Sequence, residues 1–538
     1  MAARTQLVEL VEDDDARSVP RGRRRQDAAA GSDPSPGPDT GPPGPPGPPG
    51  ASAPTEPGDR ARAWLRRHWR WLVPSAVIAV GALVATQGVV DAHQRARLAR
   101  LAVLPGVLAP VDPQLSARWR GDASLGTALQ AGTELGDRLL AVVEGAPDEP
   151  LAVVAFDRRT GGELWRTPVP RPDRLPGPAD EVQQLFTSCS AAPHGTGQVA
   201  LCTATQQAQT ETQRPPTSLW VIDPKTGAVL ARRTVAGTSS FTTAGPNLVV
   251  ATAVAGSGST RSWRIVASDL VAGTQRWTFT TPAVRITSPY GRPGGSPDDV
   301  LETPGLGTTP SGGILVTSDR HVWELSSTGT LGRSLELPQY SYVDNLRGGL
   351  LITSEYGAPS GARTGSIVLR DGTSVPTTDG SAYLTTDDGS APGIAFTTTA
   401  GDTGLSGVTG RLVTTGAARW HHEGPIQAGL LLDGRLYLGQ TDGVVALDAR
   451  TGRELWRVDT DYSVQQIGTD GNALLVPAPV AGLTALSLAS GQRLWTKRLG
   501  SEVAGPGNPA WTVQQLEVDG RFREVVGWND DGSIVFLG

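Results

Sequence analysis

Sulfur is nearly absent from this sequence, with two cysteines and one methionine, Met1, in 538 residues. No cluster of histidine accompanies Cys189 and Cys202, so a metal site built on them is not expected. They lie in LFTSCSAAPHGTGQVALCTAT, where LFTSC and VALCT read as two strands joined by a Gly-rich loop. A cross-strand disulfide fits that arrangement and implies an oxidising compartment, with two buried reduced thiols as the alternative. Other absences narrow the chemistry. There is no alternating Asp-x-Asp-x-Asp series to ligate calcium and no Gly-x-Ser-x-Gly elbow to present a nucleophile beside His194, although Ser188 and Ser190 are near it. His421 and His422 are adjacent, so on a strand they point to opposite faces and cannot chelate together. The pairs Asp298/Asp299, Asp387/Asp388 and Asp530/Asp531 each sit beside Gly or Pro and read as turn residues. No catalytic, cofactor-binding or metal-binding residue is therefore assigned.

Cationic surface is also missing. Residues 1–70 hold 11 Arg against 10 Asp and Glu, which leaves 36 basic and 43 acidic residues beyond them. A mildly acidic domain with no basic stripe and no interleaved aromatics is a poor partner for a phosphate backbone, so nucleic acid is excluded. Long apolar runs are absent but for one, LVPSAVIAVGALVATQGVV at residues 72–90. Nineteen residues without a charge span about 29 Å as a helix at about 1.5 Å per residue, enough for the hydrocarbon core. Residues 60–71, RARAWLRRHWRW, form a basic and aromatic juxtamembrane segment that suits the headgroup layer. Arginine is denser before the span than after it, which predicts a cytoplasmic N-terminus and an extracytoplasmic C-terminal domain. Residues 1–59, including GPPGPPGPPG at 41–50, carry no sustained apolar periodicity and read as a disordered cytoplasmic tail with a polyproline spacer. Residues 91–114 read as a stalk ended by Pro105, Pro110 and Pro113.

What the chain has in abundance is turns. Gly numbers 67 and Pro 43, and beyond residue 114 they punctuate a repeated unit. Its clearest copy is GVVALDARTGRELWRV, residues 443–458. Alternating apolar residues make one strand, Asp448 and Thr451 offer side-chain acceptors to local N–H groups, and Gly452 supplies the left-handed turn position. A return strand carrying Trp456 comes next. The unit recurs around Gly161 with Trp165, Gly273 with Trp277, and Gly491 with Trp495. Degenerate copies keep the turn but not the indole: Gly227 is followed by Ala231, and Gly329 by Arg333. VTTGAARW ends on Trp420, while LRDGTSV at residues 369–375 keeps only the turn.

These Asp-x-x-Thr-Gly-x-x-x-Trp units resemble the repeats of the pyrroloquinoline-quinone-like, or quinoprotein alcohol-dehydrogenase-like, β-propeller family. The resemblance covers residues 115–538 and implies an all-β propeller whose blades interlock through tryptophan, whether or not the channel holds anything. Trp119 in LSARWRG stands on a return strand without its partner, and GWNDDGSIVFLG at the C-terminus is an inner pair without its return strand. Together they complete one blade and close the ring. Trp-equivalent positions at 119, 165, 231, 277, 333, about 376, 420, 456 and 495 count nine, but propellers usually have four to eight blades, so the stretch 333–420 is expected to hold one blade fewer, giving eight, with seven as the alternative. Residues 171–181 and 282–310 are expected as loop excursions on one rim.

Quinone enzymes of this fold carry, as the resemblance implies, a calcium site, an Asp base and often a pair of adjacent cysteines. This chain has no adjacent cysteines, and no catalytic residue maps across. The expectation is a non-catalytic protein-binding or scaffold module of the cell envelope, without cofactor, anchored through residues 72–90. The alternatives are a membrane-tethered quinone-dependent dehydrogenase and a ligand sensor that signals through the tail.

Overall fold

The computed structural model describes residues 86–89 and 91–538, apart from 147–148, 174, 176–183, 209–213, 255–259, 287–302, 310–311, 338–340, 356–364, 402–403, 480–481, 500–514 and 519. The tail, the juxtamembrane segment and nearly all of the apolar run 72–90 lie outside the described residues. The chain divides into two units, residues 1–84 and 85–538, and the strands all belong to the second. Among the described residues, no helix is long and apolar enough to cross a membrane.

The described strands form nine sheets, each built on four strands in antiparallel order, and together they make an all-β propeller. Blade 1 comprises Thr133–Leu135, Arg138–Val143, Leu151–Asp157 and Glu163–Val169. Blades 2 to 8 succeed it in chain order, their innermost strands beginning at Leu185, Ser239, Gly305, Ser341, Asp379, Ile426 and Gly468. Blade 9 is composite: Gln515–Glu517, Val525–Trp528 and Ile534–Leu537 are completed by Ala117–Gly121 from the other end of the chain. The register pairs Trp119 with Phe536 and Gly121 with Ile534, and Ser116 and Gly538 exchange backbone hydrogen bonds at 3.3 and 3.1 Å. Closure of this kind covers the edge that Ile534–Leu537 would otherwise leave unpaired.

Nine sheets replace the expected eight, and the reason lies between residues 333 and 420. That stretch holds two complete blades, 5 and 6, neither of which shows the full repeat. Blade 5 ends on Ser374–Thr377, which contains Pro376 and no indole. The innermost strand of blade 6 is only Asp379–Ser381, and it is pinned by charge rather than by apolar alternation. The Arg411 guanidinium meets Asp379 Oδ2 at 2.7 Å and also donates to Thr377 Oγ1 and Gly416 O, while Thr397 Oγ1 donates to Asp379 at 2.6 Å. A strand of three residues, one of them charged, gives no period-2 signal.

The turns between third and fourth strands in blades 1, 2 and 7 are built from the motif's polar residues. Asp157 accepts from Arg159 N at 2.9 Å, Thr160 N at 2.8 Å and Thr160 Oγ1 at 3.0 Å, and Asp448 does the same with Arg450 and Thr451. The N–H groups that Asp157 and Asp223 accept hold both carboxyls below the usual carboxylate range. After the turn comes a feature that the repeat does not announce. Every third-to-fourth strand pair except that of blade 5 carries a register shift, and the extra residue, such as Leu164 in blade 1 and Leu230 in blade 2, immediately precedes the tryptophan position. A bulge re-aims the side chain after it. Here it turns the indole toward the next blade and leaves the bulged leucine exposed, as at Leu164, Leu230 and Leu494.

Buried clusters of leucine, valine and alanine fill the spaces between neighbouring sheets, so the core is a series of wedges rather than one mass. Replacing Trp456, which is 9% exposed and packs against Tyr437, with alanine should cost about 3–5 kcal/mol, the usual range for emptying a buried aromatic site. Chemical denaturation of the domain checks this value. Deleting residues 533–538 removes the strand that Trp119 pairs with. The deletion should lower the melting temperature steeply, and an unchanged value would show that the ring does not depend on its composite blade.

Candidate functional site: two unlike faces of one ring

The predicted tryptophans and turn glycines meet across blade boundaries. Trp119 of blade 9 lies on Gly161 of blade 1, where a Cβ would stand 2.5 Å from the indole, and the glycine has φ +68. Both the backbone angle and the missing side chain are required there. The same contact joins Trp165 to Gly227, Trp277 to Gly329, Trp420 to Gly452 and Trp456 to Gly491. In four of the five pairs the indole N–H also finds a carbonyl of the receiving turn: Arg158 at 2.8 Å, Pro224 at 3.1 Å, Ser327 at 3.0 Å and Leu488 at 3.2 Å. The Trp420 N–H is buried without an acceptor. Trp495 faces the composite blade, whose third and fourth strands are the two chain ends. It packs instead on the cluster containing Leu115, Leu516 and Leu537.

Tryptophan is missing at three boundaries: between blades 5 and 6 Gly416 faces Val375, Leu369 and Ile367, and at the other two arginine takes its place. Ala231 leaves space at the boundary of blades 2 and 3, and Arg233, two residues further on, covers Gly273 and donates to the carbonyls of Leu270 and Val271 at 3.3 Å. At the boundary of blades 4 and 5, Arg333 occupies the tryptophan position and donates to Leu369 O at 2.6 Å and Gly349 O at 3.0 Å, with Glu324 balancing its charge. The smaller fit leaves a cleft of about 400 Å³ lined by Glu324, Arg333, Gly349 and Arg370. Arg333 is visible in the repeat as a departure from it. Nothing in the sequence points to Arg233.

Because successive strands of a blade are antiparallel, the first-to-second and third-to-fourth connections lie on one face of the ring. Connections between second and third strands and between blades lie on the other. The first, a turn face, carries short turns except at residues 382–393 and 518–524. The second, a looped face, carries the connections 170–184, 281–304 and 499–514. Both expected excursions begin on this looped face, although much of each lies outside the described residues.

The turn face is partly occupied by the chain itself. A helix over residues 91–101 is exposed along its first turns and docks at its end. Arg97 donates to Asp433 at 2.8 Å and to Gly471 O at 2.8 Å, and Leu101 is buried against Leu430, Leu432 and Leu474. Val107 then pairs in parallel with Thr469, the free edge of the innermost strand of blade 8, and Leu108 and Ala109 bond Thr469 O and Arg523 O. Beside it, Thr386–Asp387 adds in parallel to the innermost strand of blade 7. Gly106 lies against Thr385 and Gly520. The stretch expected as a stalk thus lies against the ring, on the channel side of blades 7 and 8.

At the seam between blades 9 and 1 is a buried ionic cluster with no counterpart in the repeat motif. Arg118 meets Glu524 at 2.9 Å, and Arg158 lies 3.3 Å from Glu524 and 3.7 Å from Glu134. Burial pushes the Glu134 carboxyl up to about 8, against the opposing pull of Arg158 and Arg523, and burial raises Glu524 as well. Glu134 Oε2 and Glu524 Oε2 have no hydrogen-bond partner.

The remaining candidate residues are scattered. Cys189 and Cys202 stand directly opposite on neighbouring strands, 4.1 Å between Cα atoms, and form a disulfide. Ser190 and His194 lie on one extended strand, about 13 Å apart at about 3.3 Å per residue, and do not form a dyad. Ser188 bonds Thr203. His421 faces Thr409 and His422 faces Gln440, on opposite sides of their strand. Asp387 pairs with Arg347, Asp388 accepts from Asp433 N, and Asp531 from Ser533 N, while Asp298 and Asp299 lie outside the described residues. Among the described residues, no three or more His, Cys, Asp or Glu are grouped to hold a metal.

Residues 408–535 match the sequence model of the family described as "Outer membrane protein assembly factor BamB", a stretch that includes the Trp420, Trp456 and Trp495 repeats. Over that stretch, which is less than half of the chain, the repeats are similar to those of that family. A curated relative in sequence terms is the serine/threonine-protein kinase AfsK of Streptomyces coelicolor, 34% identical over 83 residues, which are 15% of this chain and 10% of the kinase. The chain therefore matches about a tenth of that relative's length. Two solved structures are similar over most of their length. BamB from Moraxella catarrhalis has 16% identity, covers 79% of this chain and 99% of its own, and gives a TM-score of 0.38. A eukaryotic initiation factor has 9% identity, covers 74% and 90%, and gives 0.41.

The seam cluster makes stability depend on pH. A carboxyl raised by folding holds its proton in the native state while the unfolded chain has already lost it. Its contribution to stability is then full below about 4.5, declines as pH rises to about 8, and is level beyond. The Glu134→Gln variant should lose less stability than the parent between about pH 5 and pH 8, as read by melting temperature at intervals across that range. Equal slopes for the two proteins would remove Glu134 from the account.

Proposed function

We propose that this chain is a single-pass membrane protein whose extracytoplasmic propeller is a non-catalytic, protein-binding scaffold of the cell envelope. The observation that carries this reading is the difference between the two faces. Helix 91–101 and the segment after it occupy the turn face at the channel side of blades 7 and 8, whereas the connections of greatest length gather on the looped face. A rigid ring that presents variable connections on one side is the usual arrangement for binding by loops. The disulfide supports an oxidising compartment. The apolar run at 72–90 and the arginines before it support the anchor and its orientation. The similarity to an assembly factor of the outer membrane supports a protein partner rather than a substrate.

The test is site-specific photo-crosslinking in intact cells. A crosslinker at Gln207 or Asp442, both exposed at connections of the looped face, should give discrete higher-mass adducts. The same group at Lys225 or Thr415, exposed on the turn face, should not. Adducts from the turn face alone would reverse the assignment. Protease added to intact cells should remove the propeller and spare the tail, and a protected C-terminus would show the opposite topology.

A further inference from the structure

We infer that the boundary of blades 4 and 5 is an open binding site for a small aromatic carboxylate, a flat ring of about indole size with one N–H donor and one acidic tail. Such a site is independent of the anchor and of any partner on the looped face.

This joint is built to receive a ring and has none. In each of the nine blades the turn between third and fourth strands holds a glycine at positive φ. At eight of these glycines a Cβ would meet a neighbouring group within 4 Å: an indole at 2.5–2.7 Å in five, and Arg233, Val375 or Ala123 in the others. The ninth is Gly372 of blade 5, at φ +87, where no atom beyond its chain neighbours comes that close among the described residues. Its turn is otherwise like the rest. Leu369 N bonds Thr373 O at 2.8 Å and Gly372 N bonds Leu369 O at 3.0 Å, the pattern by which Ser326–Thr330 holds Gly329 beneath Trp277. The acceptor of the joint is vacant as well. Arg370 O is the counterpart of Ser327 O, which takes the Trp277 N–H at 3.0 Å, and it accepts no hydrogen bond among the described residues. The receiving half is therefore intact but bare. Arg370 of that same turn and Arg333, which holds the tryptophan position, both line the cleft of about 400 Å³, a volume usual for small-molecule sites. Gly313, Gly332 and Gly349 line it too, and they present no side chain to a flat ring.

The charges of the cleft define the tail. The Arg333 side chain is 7% exposed, and its donors are committed to Leu369 O, Gly349 O and Glu324, so it is a fixed, neutralised wall. Arg370 is different. It is exposed and held by one nitrogen, Nε to Gly348 O at 2.7 Å, while its two terminal nitrogens have no partner among the described residues. Asp371 beside it accepts from Thr373 N at 2.9 Å within its own turn. Two guanidinium groups against the single carboxylate of Glu324 leave the cleft one positive charge in excess. A guanidinium whose terminal nitrogens are free grips a carboxylate with two parallel bonds. Ring, donor and acid thus each have a place, on Gly372, Arg370 O and the Arg370 guanidinium.

The probes are indole-3-propionate, which has all three features, and indole, which lacks the acid. The full chain is purified in detergent, and uptake of each probe is read by equilibrium dialysis against protein-free micelles. Indole-3-propionate should bind saturably, one molecule per chain and about tenfold more tightly than indole. Arg370→Gln should weaken indole-3-propionate about tenfold and leave indole unchanged. Arg333→Trp returns the repeat's own indole to the joint and should abolish uptake of both. Arg370→Gln alters only an exposed side chain, so it decides the matter even where Arg333→Trp lowers the melting temperature. No saturable uptake by the parent, or uptake of indole-3-propionate that Arg370→Gln leaves unchanged, would overturn the site. Undiminished uptake by a folded Arg333→Trp chain would do the same.

Discussion

The contact on which the ring depends is a flat indole laid on a glycine of the next blade. Nine wedge-shaped sheets have no common core, so each boundary must be fixed separately, and an apolar surface alone would allow neighbouring sheets to slide. The indole prevents this in two ways. It fills a space that only a residue without a side chain leaves free, and its single donor reaches one carbonyl of the receiving turn, as Trp119 does with Arg158 and Trp165 with Pro224. The turn motif and the tryptophan are therefore two halves of one joint that belong to successive blades.

The two arginine joints show what the position needs when the indole is lost. Arg233 and Arg333 keep the donors and multiply them, reaching two or three carbonyls each, but surrender the flat apolar area. Hydrogen bonding then carries most of the fit, and the cleft beside Arg333 is the space that the guanidinium does not fill. Both lie among blades 2 to 5. A tryptophan stands at every boundary from blade 6, through the composite blade, to blade 2, although Trp495 rests on a leucine cluster rather than on a glycine. At the seam Trp119 also stacks on Phe536 at 4.1 Å.

Legibility in the sequence followed the chemistry of each element. The propeller architecture, the composite blade and the cysteine pair could be read because they rest on local rules: polar turn residues at fixed offsets, alternating strands, and an indole four residues after a glycine. The ninth blade could be counted from its positions near 376 and at 420, but its innermost strand, which would have confirmed it, could not be read. Asp379–Ser381 is held by Arg411 from more than thirty positions away, and no local pattern encodes such a partner. The bulge before each tryptophan was hidden because an added residue does not alter the motif's spacing. Arg233 acts across a blade boundary, Glu134 and Glu524 share Arg158 at the seam of blades 9 and 1, and the docking of residues 101–111 depends on turns of blades 8 and 9 that are distant in sequence.

The path of the chain from its first described helix into Ala117–Gly121 also has a mechanical meaning. That strand closes the ring, and it is the first strand of the propeller that a pull on the N-terminal segment would reach. Before reaching it, the pull meets Arg97 on Asp433, then the backbone bonds of Val107 and Leu108 to Thr469, then Ala109 on Arg523. These contacts are spread over blades 7, 8 and 9, so tension is shared among three wedges instead of peeling one strand from its edge. The closure of the ring is in this way isolated from whatever strains the segment that precedes it.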